Sequence, residues 1–143
     1  MILKNTDNRY IIEVGNTQTI DGVTDVIRER QTGSYYEKGG KKYIMYKSFE
    51  EGVATSSVII VADGAVTIKR NGSVKSNMTL DVRRKTASPY FTPYGVLTID
   101  IETEQIVSDL DSNGGTLRLK YVLIIQGEKY YNDMIINVIG DKR

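Results

Sequence analysis

The chain has 143 residues, and none is cysteine, histidine or tryptophan. Without cysteine there is no disulfide framework, no thiolate nucleophile and no cysteine-ligated metal, which fits a reducing compartment. The missing histidine excludes more. No imidazole can serve as general base, as metal ligand or as a switch near neutral pH. Serine–histidine and cysteine–histidine mechanisms are closed to this chain, and so are the commonest zinc sites. No cofactor and no metal is implied. The charge is nearly even, with 19 basic and 18 acidic residues and a net +1, so nothing demands a polyanion or an acidic surface as partner. Apolar runs stay far below the roughly 20 residues that span a bilayer as a helix, and the opening residues lack a signal-peptide core. No membrane partner and a cytoplasmic location are the expectation. Oligomeric state is not legible.

What is present is turn chemistry. Asp21-Gly22, Gly39-Gly40, Glu51-Gly52, Asp63-Gly64, Asn71-Gly72, Pro93-Tyr94-Gly95, Asn113-Gly114-Gly115 and Gly127-Glu128 cut the chain at short intervals. Glycine beside Asn or Asp supplies the positive φ of tight hairpins. A charged break, Arg83-Arg84-Lys85, adds another. Between the breaks the period is two. Val74, Ser76, Met78, Leu80 and Val82 share one parity, and the polar residues between them share the other. Leu97, Ile99 and Ile101 alternate in the same way, but Ile106 and Leu110 take the opposite parity, so a β-bulge is expected near Thr103-Glu104-Gln105. Leu117, Leu119, Tyr121, Leu123 and Ile125 form another row, and a last strand is expected from about Lys129 to Ile139. No helical stretch intervenes to carry a crossover. These features predict one all-β domain over residues 1–143, with residues 1–8 a loose leading segment. The architecture is an antiparallel up-and-down meander of about 8–10 strands that removes its edges by closing into a barrel.

Four segments also match, in order, a known pattern: Gly33-Ser34-Tyr35-Tyr36-Glu37-Lys38 with Lys42-Tyr43-Ile44-Met45-Tyr46; then Arg70, Gly72, Ser76 and Met78; then Tyr90, Thr92, Pro93, Tyr94 and Gly95; then Gly114-Gly115 leading into Leu117, Leu119 and Tyr121. Together they resemble the YwiB-like family, small bacterial proteins of unknown function. The resemblance implies a calycin-like barrel, distantly like lipocalins, but not the ligands of lipocalins. The chain departs from the family at Leu80, where an aromatic is frequent, and in the more basic loop at Arg83.

Arg70 is the first candidate residue. It shares parity with Val66 and Ile68, so its guanidinium should point inward, where it needs partners. It is either an anchor for a carboxylate or phosphate ligand or an arginine that closes the barrel end against carbonyls and a tyrosine. The ten tyrosines, against two phenylalanines, offer hydroxyls on apolar rings. Tyr36, Tyr43, Tyr46, Tyr90, Tyr94 and Tyr121 either line a cavity or pack core and rim. Asp109-Leu110-Asp111-Ser112-Asn113-Gly114 matches the start of a calcium loop, but Lys120 occupies the position that needs a bidentate carboxylate, and a plain hairpin turn is favoured. The basic residues Lys41, Lys42, Lys69, Lys75, Arg83, Arg84 and Lys85 are read as a solvated surface in preference to a nucleic-acid groove. The leading expectation is therefore a non-catalytic barrel that binds a small, partly apolar or anionic ligand through Arg70, Tyr46, Ser76, Tyr94 and Tyr121. The alternatives are a protein interaction or regulatory module with a filled barrel and, behind it, a histidine-free enzyme.

Overall fold

The computed structural model describes residues 10–50, 52–72 and 75–140. Ten strands follow in chain order: β1 (Tyr10–Ile20), β2 (Val23–Lys38), β3 (Lys41–Glu50), β4 (Val53–Ala62), β5 (Ala65–Asn71), β6 (Lys75–Asp81), β7 (Thr86–Thr92), β8 (Gly95–Asp111), β9 (Gly114–Ile125) and β10 (Glu128–Gly140). Each pairs antiparallel with its chain neighbour, and β1 also pairs with β10, so the sheet closes into a barrel. Closure leaves no open edge. Among the described residues no helix is long and apolar enough to cross a membrane. The leading segment 1–8 and Val74 lie outside the described residues.

Local chemistry sets the turns. Asp21-Gly22, Gly39-Gly40 and Asp63-Gly64 each place two successive residues at positive φ, the conformation that lets a two-residue hairpin follow the strand twist. The turn expected at Gly127-Glu128 lies one residue earlier, on Gln126-Gly127, with Gln126 at φ 52°. The Asn71-Gly72 turn also differs from expectation. Asn71 is still in the ladder, paired with Lys75, so it is not a turn residue. Gly72 is needed for space, because a Cβ there would stand 2.4 Å from Thr55 Oγ1. The expected bulge is present. Pairing with β9 slips between Thr103 and Gln105, leaving Glu104 unmatched and restoring the inward direction of Ile106 and Leu110.

Inward rows make the core. Ile12, Ile44, Ile59, Val66, Ile68, Leu80, Ile99, Ile101, Leu117, Leu119 and Ile136 are fully buried. Each such side chain contributes roughly 1.5–3 kcal/mol relative to exposure. They cluster toward one end of the barrel with Tyr35, whose hydroxyl donates to the Asp111 carbonyl at 2.7 Å and whose ring meets Tyr10 edge-on. Tyr36 and Tyr43, by contrast, stack on each other across β2 and β3, on the parity opposite to buried Tyr35 and Ile44.

Val82 leaves the row expected of it and is exposed, because β6 stops at Asp81. The Asp81 side chain is only 5% exposed and is held by its own turn. Arg83 donates to it from its backbone N–H and through both Nε and Nη2, and Nη2 also reaches the Asp63 carbonyl. The β6–β7 turn is thereby tied to the β4–β5 turn. This matters because, among the described residues, β6 and β7 share two paired positions, next to Pro89, which has no N–H for a ladder.

Two outcomes follow. Gly95 sits at φ 132°, a region barred to β-branched residues, so Gly95→Val should lower stability by about 1–3 kcal/mol in denaturant titration. The Arg83 contacts hold the Asp81 carboxyl down at about 2, from an ordinary 3.8. A depressed carboxylate stabilises the fold above its unfolded pKa and loses that contribution as pH falls through the folded one. Asp81→Asn should therefore melt earlier than the parent protein at pH 7, and the gap should narrow as pH is lowered from about 4 toward 2.

Candidate functional site

Ten strands enclose more width than side chains fill throughout. One half of the interior is packed. The other half is a cavity of about 1520 Å³, open to solvent and lined in part by the turns that join β1 to β2 and β9 to β10. The packed and open halves meet at Val14, Met78, Ile99 and Met134, which belong to the core and line the cavity.

The inward rows change character at this level. Tyr46 is paired with Ser57, Ser57 with Arg70, Arg70 with Ser76, and Ser76 with Tyr90. A continuous polar belt thus crosses β3 to β7, and it continues to Leu97 on β8. The adjoining wall is apolar, with Leu97 and Ile99 from β8 and Leu123 and Ile125 from β9. The cavity is amphipathic because polar and apolar residues come from different strands.

Four of the five expected site residues are brought together. Arg70, Ser76 and Tyr121 line the cavity, and Tyr46 lies directly behind this lining, buried next to Ser57. Burial pushes the Tyr46 hydroxyl up, while Arg70 and Ser57 draw it down and Glu29 opposes them. Burial likewise pushes Tyr121 to about 12, again moderated by Arg70. Arg70 is half-buried, and among the described residues no carboxylate lies within ion-pair distance of it. Tyr94 does not join the group. It is 98% exposed at the β7–β8 turn, where its N–H donates to Thr92 Oγ1, so it belongs to the hairpin tip and not to a strand with an inward face.

Other cavity residues were not singled out from sequence. The Asn132 side-chain oxygen accepts from Asn16 Nδ2 at 3.0 Å and Gln18 Nε2 at 2.9 Å, and its own Nδ2 donates to the Tyr130 carbonyl. Asn16 Oδ1 is buried with no hydrogen-bond partner. Glu29 lines the same cavity and accepts from the Ser48 hydroxyl. A signal for them existed. On β1 and β10 the inward row runs from apolar to polar toward the same end: Ile12 and Val14 to Asn16 and Gln18 on β1, Ile136 and Met134 to Asn132 on β10.

Residues 12–136 match the family described as Domain of unknown function (DUF1934). The chain belongs to this family. It is 31% identical over 121 residues to the uncharacterized beta-barrel protein YwiB of Bacillus subtilis (strain 168), covering 84% of this chain and 85% of that protein. The structure is similar to the crystal structure of the ywiB protein from Bacillus subtilis, with a TM-score of 0.84 at 28% identity over 93% of this chain and 92% of that one. The family expected from the paired-tyrosine hairpin and the Tyr90–Gly95 corner is the one found. In this DUF1934 barrel the paired tyrosines Tyr36 and Tyr43 stack outside and only Tyr46 turns inward to the belt, whereas Arg70 and Ser76 of the second segment and Tyr90 of the third line the cavity.

The raised tyrosines have a measurable consequence. A hydroxyl that ionises later in the fold than in the open chain weakens the fold above the ordinary tyrosine pKa of 10.0, because the unfolded state gives up its proton first. Stability should fall between about pH 10 and 12, and Tyr121→Phe should make that fall shallower in thermal melts at these pH values.

Proposed function

We propose that this DUF1934 barrel is a non-catalytic carrier or sensor that binds a small amphipathic anion in the open half of its interior, in the cytoplasm. One observation carries the reading. Arg70 lines a deep cavity with no carboxylate paired to it among the described residues, and the polar groups in reach are hydroxyls. A partly desolvated guanidinium without a counter-charge favours an anion that can accept its forked donors. Ser57 and Ser76 on the paired strands supply further donors, and Leu97, Ile99, Leu123 and Ile125 supply a surface for an apolar portion. The volume exceeds the roughly 300–1,000 Å³ of common small-molecule sites, which suits an extended ligand.

The competing surfaces have less in their favour. Arg83 and Arg84 engage Asp81, Lys85 engages Glu102 and Lys42 engages Glu37, so part of the basic set is neutralised by its own neighbours. The absence of cysteine accords with a reducing compartment.

The test uses anilinonaphthalene sulfonate, an anionic amphiphile whose fluorescence rises in apolar surroundings. The folded protein should bind it, and Arg70→Leu should weaken binding about tenfold or more. Arg70 forms no ion pair among the described residues but partners the buried Tyr46 hydroxyl, so the same change should lower stability by about 1–3 kcal/mol without unfolding the protein. Unchanged binding, or unfolding of the variant, would contradict the proposal. Native mass spectrometry of freshly purified protein provides the second readout, where a ligand appears as a discrete extra mass lost on denaturation.

A further inference from the structure

Asp21, Arg28, Glu29, Glu128 and Lys129 also line the cavity, and of these Glu29 is the charge that acts with Arg70 on Tyr46 and that the anion reading leaves unused. Glu29 projects from β2, whose inward row continues to Gln31 and Gly33. Its carboxylate accepts one hydroxyl hydrogen bond, from Ser48, and forms no ion pair among the described residues. Glu29 and Arg70 both act on the Tyr46 hydroxyl, in opposite senses, so the two charges flank one side chain. Yet they do not meet. Opposite charges in a shared, partly desolvated cavity attract strongly, and a gap between them is a place for a molecule that carries both signs.

The β1–β2 wall has a further acceptor to spare. Glu29 is paired with Val14, and Asn16 is two residues on from Val14 on the same inward face. Asn16 Oδ1 is the buried oxygen without a partner, and a buried acceptor left unsatisfied is costly. One wall therefore presents a carboxylate, with an orphan amide oxygen buried beside it. The β4–β6 wall presents a guanidinium and the hydroxyls of Ser57 and Ser76. An ammonium group has three donors and no acceptor, which suits the first wall, and a carboxylate has only acceptors, which suits the second.

From this division of donors and acceptors the geometry points to a zwitterionic ligand, a carboxylate and an ammonium borne close together on an apolar body, as in an apolar α-amino acid or the end of a short peptide. The carboxylate would lie against Arg70, the ammonium against Glu29, and the apolar body along Leu97, Ile99, Leu123 and Ile125. The inference rests on the cavity reading above and specifies its ligand class.

Three probes of equal chain length separate the two. Decanoate carries only the anion, decylamine only the cation, and α-aminodecanoate both. Calorimetric titration at pH 7 should show α-aminodecanoate binding about tenfold or more tightly than decanoate, as one charge-assisted contact predicts. Glu29→Gln should remove that advantage while leaving decanoate affinity unchanged or higher. Arg70→Gln should weaken both acids. If decanoate binds as tightly as α-aminodecanoate to the parent protein, the zwitterion inference is overturned and the anion reading stands. Equal loss of both acids in Glu29→Gln also overturns it. The comparison on the parent protein decides the matter even if that variant does not fold. If neither acid binds, both readings fall.

Discussion

Closure through β1 is the constraint on which the rest depends. β1 is paired with β2 on one side and with β10 on the other, so every strand has two neighbours and one unambiguous inward face. Once the ring is closed, a residue's parity decides whether it meets water or the interior, and a slip by one residue would invert a whole strand. The bulge at Glu104 shows how strict this is. β8 is the longest strand, and it keeps Ile99 and Ile101 at one end and Leu110 at the other inside only by inserting one unpaired residue.

Strand number then sets the interior. A ring this wide does not fill with side chains alone, and the chain resolves this by dividing the interior along the barrel axis. Isoleucine and leucine fill one end, and polar and charged residues, Arg70 and Glu29 among them, line the other. The packed half supplies the stability that allows the open half to carry partly desolvated polar groups. The charged clamp between Asp81, Arg83 and the Asp63 carbonyl sits at the packed end, where the β6–β7 seam is thinnest. The clamp and the cavity charges are thus spatially separated. One set is ion-paired and ties the β6–β7 turn; Arg70 and Glu29, with no ion pair among the described residues, face the cavity.

Much of this was legible in the residues. The period-two rows, the Asp-Gly and Gly-Gly turns and the parity change in β8 predicted strands, hairpins and the bulge, because these depend on local backbone geometry and on alternation. Arg70 and Ser76 were legible as inward because they interrupt apolar rows. The errors have equally local causes. Tyr94 sits in a segment rich in aromatic residues, but its N–H is taken by the Thr92 hydroxyl, which fixes it in the turn. The Asn71-Gly72 pair looked like a two-residue turn, but the ladder runs on through Asn71.

Glu29, Asn16 and Asn132 mark the boundary between the two levels. Alternation alone could assign each a face, since every one lies on an inward parity with apolar residues further along its strand. Alternation could not say what each would find across the barrel. That depends on the stagger between strands and on where the ring closes, which are properties of the whole sheet. The sequence by itself therefore determined the strands, their facing and the family. Only the tertiary structure decided that the polar ends of the rows converge on one open cavity, that Tyr94 stays outside it, and that Arg70 and Glu29 share it without touching.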